Sequence, residues 1–292
     1  RVGDWEVALS LLAVLVAASG ARGKSWPHPR SFDDAIIACS RAQPQARWSE
    51  ALEVLSQMSA TGLAPRSYAF NGCIAACARA GQSGRCMALL QRMKAAGVPP
   101  DLVTFNSVLM GLAKEATAGA RVSGWETACQ LLTQMDDRGV EPDALSYGLA
   151  IQACRRALPA AQPGRAGKLL EAMQGRGIAP TEETLVMILT ACASAGGHEA
   201  LADRVWAMIC DGSGSGAPPP TVRAYTARLY ERGTANDWQG ALAVLGEMRG
   251  QQGGEAPSSA DEKCVALTAR ACGRAGAWEA AIDLLRACET DH

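Results

Sequence analysis

Apolar residues recur along this chain at helical spacing, in short segments that close in a common way. Between Trp48 and Met58, the residues Ala51, Leu52, Val54, Leu55 and Met58 fall on one side of a helix, with Ser49, Glu50, Glu53, Ser56 and Gln57 on the other. The phrase returns from Trp125 to Met135, from Trp238 to Met248 and from Trp278 to Cys288. A second phrase marks helix stops: Gly62-Leu63-Ala64-Pro65, Gly97-Val98-Pro99-Pro100, Gly139-Val140-Glu141-Pro142 and Gly177-Ile178-Ala179-Pro180. Glycine takes the left-handed cap there, and proline cannot continue the helix. The four prolines lie 35, 42 and 38 residues apart, and looser versions follow at Pro220 and Pro257. A third phrase opens the other helix of each pair: Phe70-Asn71, Phe105-Asn106, Tyr147-Gly148 and Tyr225-Thr226.

Together the phrases predict seven helical hairpins, at 29–66, 67–101, 102–143, 144–181, 182–221, 222–258 and 259–292. Only 67–101 has the undisturbed length of 35. The extra residues of the others fall at Gln43–Gln45, near Thr117–Ser123, at Leu158–Pro163, at Gly212–Pro219 and at Gln251–Ala256. Such Gly-, Pro- and Ser-rich inserts read as exposed loops. Residues 1–28 read as a half-repeat helix and loop, because Trp5–Leu12 copies the phrase of Trp48 and Trp278. The apolar run Ala8–Ala18 also matches the core of a signal peptide. It falls short of the roughly 20 apolar residues that span a bilayer, and the repeat register accounts for it better. The expected fold is therefore all-α: a right-handed α-solenoid of about seven hairpins plus an N-terminal half-repeat. A lone hairpin cannot bury its apolar face, so each neighbour supplies half of a shared core.

Charge and cysteine content narrow the chemistry. With 28 Lys and Arg against 29 Asp and Glu, the net charge is -1, so any cationic surface must be local. One such surface is a row at a single repeat position: Arg41, Arg79, Lys114, Arg156 and Arg274. There the cations either meet successive phosphates or cap helix C-termini. Five of the eleven cysteines, Cys39, Cys77, Cys154, Cys192 and Cys272, share one position in successive first helices, where Cys packs as a small apolar residue. With no CxxC pair, no metal or cofactor is expected, and the many thiols fit a reducing compartment. His28, His198 and His292 have no catalytic partner in view, and the Gly-rich stretch at 212–216 lacks the Lys of a phosphate loop, so no enzymatic site is expected. The recurrent Trp5, Trp48, Trp125, Trp238 and Trp278 lie on second helices and read as packing residues.

The repeat resembles the pentatricopeptide motif over nearly the whole chain. Ser67–Asp101 carries the resemblance most fully, with aromatic-Asn near its start, Ala-Gly at the turn, Met near its end and a closing Gly-x-x-Pro-Asp; Leu102–Asp143 shares these elements. The Trp–Leu–Gly–Tyr pattern of tetratricopeptide repeats is not visible. The resemblance implies a sequence-selective adaptor on single-stranded RNA, in chloroplast or mitochondrion, with roles in RNA processing, stability or translation. Each repeat of such a reader addresses one base through a few side chains. The implied readers are the fifth and last residues of a repeat. These are Asn71 with Asp101 and Asn106 with Asp143, which imply a U-U step, and Thr226, which implies a purine. Its partner is Ser258 or Asp261, and the last hairpin has Lys263 or Ala266 as its fifth residue. Tyr68, Val103 and Leu145, at the second position, would sandwich the bases. The pairs Asp33/Arg66, Gly148/Thr181 and Val186/Thr221 match no recognised combination. The other reading is a helical scaffold for protein partners, favoured by the charge balance and the weaker repeats after 181. No membrane partner is expected.

Overall fold

The computed structural model of the chain describes residues 4–18, 28–43, 45–114, 124–157, 160–212, 220–251 and 259–290. The insert expected near Thr117–Ser123 lies outside these residues, as do 158–159, 213–219 and 252–258 of the later inserts. The described residues hold fifteen helices and no strand. The first is α1 (Asp4–Ala17). The remaining fourteen form pairs: α2 (Pro29–Arg41) with α3 (Trp48–Ala60), α4 (Ser67–Arg79) with α5 (Ser83–Ala95), α6 (Leu102–Lys114) with α7 (Gly124–Asp137), and α8 (Ala144–Arg155) with α9 (Pro163–Gly175). They continue as α10 (Glu182–Ala195) with α11 (Glu199–Gly212), α12 (Val222–Thr234) with α13 (Trp238–Gln251), and α14 (Ser259–Arg274) with α15 (Trp278–Thr290). This is the all-α repeat that the phrase spacing predicts. None of the described helices is long and apolar enough to cross a membrane.

The chain divides into two compact units, Arg1–Ala153 and Cys154–His292. In the first, α2, α4 and α6 pack side by side, and each packs on its own second helix and on the one before it. In the second, α10, α12 and α14 are arranged in the same way with α9, α11, α13 and α15. The first helices are therefore the inner layer of each stack. In α4 nearly every apolar side chain is buried, from Ala69 and Phe70 through Cys73, Ile74 and Cys77. In α5, only the stripe Cys86, Leu89, Leu90 and Met93 is.

The recurrent stop is a Schellman cap. Gly97 sits at φ +71, its N–H donates to Lys94 O, and the Val98 N–H reaches Met93 O, both at 3.1 Å. Gly62, Gly139 and Gly177 repeat the pattern, with Leu63, Val140 and Ile178 bonded to the carbonyls of Met58, Met135 and Met173. The Met and the aliphatic residue after Gly are thus the two apolar partners of one cap. The hairpin turns use the same device. Gln82 N bonds Cys77 O and Ala277 N bonds Cys272 O, around Gly81 and Gly276. After α12, Asn236 takes the left-handed place at φ 57.

Two of the tryptophans join successive second helices. Arg47 lies 4.7 Å over the Trp5 ring and Arg85 lies 4.1 Å over Trp48. On α15, Trp278 is exposed. Half-repeat helix α1 packs against α2 and buries Leu12. The five cysteines of the first helices are all buried.

The second unit buries a charge cluster. Arg228 is 2% exposed and bonds Glu231 at 2.8 Å as well as Asp203. Arg232 holds Asp203 at 2.6 Å and Asp237 at 2.7 Å. Burial pushes the Glu231 carboxyl above its ordinary pKa although Arg228 and Arg232 pull it down. For Asp203 burial acts the same way, but the two arginines outweigh it and the pKa falls.

Candidate nucleic-acid interface

The first helices of unit 1 present a repeated polar cassette. Asp101 is the N-cap of α6, and its carboxylate accepts the Thr104 N–H at 2.8 Å while Thr104 Oγ1 accepts the Asp101 N–H at 3.2 Å. This is a reciprocal capping box with Thr at its third helical position. The same carboxylate accepts from Asn71 Nδ2 at 3.2 and 3.4 Å, and Thr104 Oγ1 lies 2.6 Å from Asn71 Oδ1. One hairpin on, Asp143 and Ser146 form the same box, with bonds of 2.8 and 3.2 Å. Asn106 Nδ2 donates to Asp143 at 3.3 Å, and Ser146 Oγ lies 2.6 Å from Asn106 Oδ1. Each Asn is thus joined to its Asp across a whole hairpin.

The carboxylates respond to these contacts. Burial works to raise the Asp101 pKa, but the Thr104 hydroxyl and N–H and the Asn71 amide outweigh it and hold it below the ordinary range. Asp143 is depressed against the same burial by Ser146 and Asn106. Both remain anionic acceptors at neutral pH.

Beside the cassettes lie Tyr68, Val103 and Leu145, which are 56, 60 and 57% exposed. Large apolar groups in solvent at one repeat position belong to no core and form an apolar row on the surface. Arg41, Arg79 and Lys114 meet at the turn end of the hairpins and line an open cavity of about 770 Å³ with Gln43, Gln45 and Trp48. There Arg79 donates to Ser40 O, and Lys114 Nζ lies 3.5 Å from Arg79 O. These two cations therefore cap the preceding first helix while keeping a face toward the cavity. In the other unit, Arg156 directly follows α8 and Arg274 ends α14.

Unit 2 departs from the pattern. Glu183 and Arg223 occupy the second position and pair with each other at 3.3 Å. The N-cap Thr221 donates to Glu182. Thr226 spends its hydroxyl proton on Val222 O at 2.7 Å, which leaves it only an acceptor for a ligand. Its Oγ1 also lies 3.7 Å from Cys264 Sγ. An apolar cavity of about 660 Å³ opens here, lined among others by Val186, Met187, Thr226, Tyr230, Arg223 and Lys263.

Thr104 and Ser146 are the cassette members that base-reading by position passes over. Their signal in the sequence is the capping-box spacing, Asp101-x-x-Thr104 and Asp143-x-x-Ser146. Asp33, fifth in its repeat, has a buried Oδ1 without a hydrogen-bond partner, and burial followed by repulsion from Asp34 raises its pKa.

Comparison with known proteins places these features. Residues 65–114 match the PPR repeat family. A chloroplastic pentatricopeptide repeat-containing protein of Arabidopsis thaliana is 29% identical over 156 residues, covering 53% of this chain and 19% of its own length. The chloroplastic pentatricopeptide repeat-containing protein 10 of Zea mays is 29% identical over 158 residues, 53% of this chain and 18% of the relative. A mitochondrial one from Arabidopsis thaliana is 26% identical over 206 residues, 69% of this chain and 23% of the relative. The chain thus matches about a fifth of the length of these relatives. Among solved structures, the maize pentatricopeptide repeat protein PPR10 superposes with a TM-score of 0.61 at 18% identity, over 98% of this chain and 42% of that one. Its complex with an 18-nt psaJ RNA element gives 0.52 at 18% identity, over 99% and 43%. The repeat phrase, the paired helices it builds and these matches together make the chain similar to pentatricopeptide repeat proteins, with residues 65–114 matching the repeat itself.

Proposed function

We propose that the chain is an RNA-binding adaptor that reads single-stranded RNA at one base per repeat and performs no reaction of its own. The observation that carries the reading is the doubled cassette, Asn71–Asp101–Thr104 and Asn106–Asp143–Ser146, set beside exposed Tyr68, Val103 and Leu145. Each amide keeps one N–H and one carbonyl lone pair for a base edge. The apolar row supplies faces on which bases stack, an interaction worth about 1–3 kcal/mol per base. By family likeness the two cassettes take a U-U step, and Thr226 takes a purine with less support. Arg41, Arg79 and Lys114 in one unit, and Arg156 and Arg274 in the other, supply phosphate contacts. The chloroplastic and mitochondrial names of the relatives support an organellar site of action, in RNA processing, stability or translation.

Fluorescence anisotropy with a short RNA carrying a U-U step tests the reading. The Asn71→Ala, Asn106→Ala double variant should weaken binding about tenfold or more, from two lost contacts of about 1 kcal/mol each, with an unchanged helical circular dichroism spectrum. Equal affinity for every homopolymer, unaffected by these substitutions, sinks it. The ion-paired second positions and apolar cavity of unit 2 favour a second role there, contact with a protein partner. In that case substitutions around Val186 and Tyr230 leave RNA affinity unchanged.

A further inference from the structure

Asn71 and Asn106 are each held from two sides, and the second holder is a fully buried hydroxyl in the first helix of the next hairpin. We propose that Thr104 and Ser146 are positioning residues that select uracil over cytosine, by fixing which way round each Asn amide faces the base. The inference rests on the RNA reading above.

A carboxylate only accepts, so Asp101 draws the Nδ2 end of the Asn71 amide toward itself. That turns Oδ1 onto Thr104 Oγ1 at 2.6 Å, a contact between two oxygens that only a donated proton makes attractive. The Thr104 proton lies between this oxygen and Asp101 Oδ1, 2.7 Å away. Being buried, the hydroxyl has no water to turn to. A flipped amide would lose the donated proton on one side and set its oxygen against a carboxylate on the other. Ser146 imposes the same order on Asn106.

The order matters because the two pyrimidines are opposites along one edge. Beside N3, uracil has the acceptor O4 and cytosine the donor N4–H₂, while N3 itself donates in uracil and accepts in cytosine. A base held in one place by walls on either side therefore matches one orientation of the amide and not the other. The Asn/Asp pairing assigns the orientation held here to uracil, and cytosine calls for the flip. The repeats agree with this division of labour. A hydroxyl stands at the third position after both Asn/Asp pairs, whereas Ala69 and Ala224 follow Asp33/Arg66 and Val186/Thr221. Thr184, which has no Asn to hold, bonds Thr181 instead.

The test pairs two readouts on the full chain. In the Thr104→Val, Ser146→Ala double variant, the shapes stay close and both hydroxyls are lost. Without RNA, the ¹⁵N–¹H side-chain signals of Asn71 and Asn106 should shift, and each pair should exchange faster. With RNA, the ratio of affinities for a ten-nucleotide probe carrying U-U and for the same probe carrying C-C should fall roughly fivefold per site, the effect of about one net hydrogen bond. The exchanged variant Thr104→Ser, Ser146→Thr should keep the wild-type ratio and signals. Unmoved amide signals, or an equal loss of affinity for both probes with the ratio intact, overturns the inference. A wild type that does not distinguish the probes overturns the uracil reading beneath it. A wild-type preference that survives in the double variant overturns the inference alone.

Discussion

A methyl group at position 97 would meet no atom within 4 Å, so Gly97→Ala is felt through the backbone alone. Holding Ala at positive φ costs about 1–2 kcal/mol, which should appear as a lower urea midpoint with unchanged RNA affinity. Gly72 is the opposite case: its added Cβ would lie 2.7 Å from Ile36 Cγ2, where α4 crosses α2. Gly72→Ala should therefore move the α2–α4 contact and lower stability by about 1–3 kcal/mol through overpacking. Asp101 and Asp143 bring a pH dependence. Their folded pKa values lie below the ordinary carboxyl value, so their stabilisation is complete above that value and is lost as pH falls through the depressed one. Urea midpoints measured from about pH 6 down to about pH 3 should fall for the wild type, and the Asp101→Asn, Asp143→Asn variant should lack that part of the fall. At this scale the sequence is informative where one residue type does one job. Gly97 and Pro100 announce a stop, and Asn71 with Asp101 can be picked out by family likeness. Thr104 escapes notice because a Thr in the first turn of a helix is commonplace, and its partner Asn71 lies a hairpin earlier.

Helices were the most legible elements because their apolar stripes and caps are local. The Met-x-x-x-Gly-aliphatic phrase reflects the cap itself, with Met58, Met93, Met135 and Met173 lending carbonyls to the turn. Helix α12 is harder to read. Arg228 and Glu231 look like an i,i+3 pair on a solvated face, yet both are buried, because Asp203 of α11 and the Trp206 ring, 5.9 Å from Arg228, close over them. Removing one member of such a cluster strands the others. Arg228→Met should therefore destabilise unit 2 by about 3–5 kcal/mol, seen as early loss of helicity in a urea titration. Arg228→Met combined with Glu231→Leu should recover part of that loss.

Over the whole chain, anionic and cationic side chains nearly cancel, so the proposed RNA affinity depends on where the cations sit. If four or five members of the basic row meet phosphates, the slope of log affinity against log salt should be about -3. A slope near zero would leave Arg79 and Lys114 as caps of their neighbouring helices only. The division into units at Ala153 and Cys154 had no mark in the repeat phrases, since it falls inside α8 and arises from packing between helices rather than from local pattern.

The two cassettes belong to hairpins of unequal length, yet their bonds agree: 3.2 against 3.3 Å from amide to carboxylate, and 2.6 Å in both from hydroxyl to amide. The surplus of the longer hairpin falls between α6 and α7, at the end of the helices away from the Asn106–Asp143 bond. Loop growth at that end is decoupled from the spacing of the readers. The turn end of the helices can thus vary without touching what Asn106 and Asp143 hold, and a reporter attached there should leave the Asn106–Asp143 bond intact.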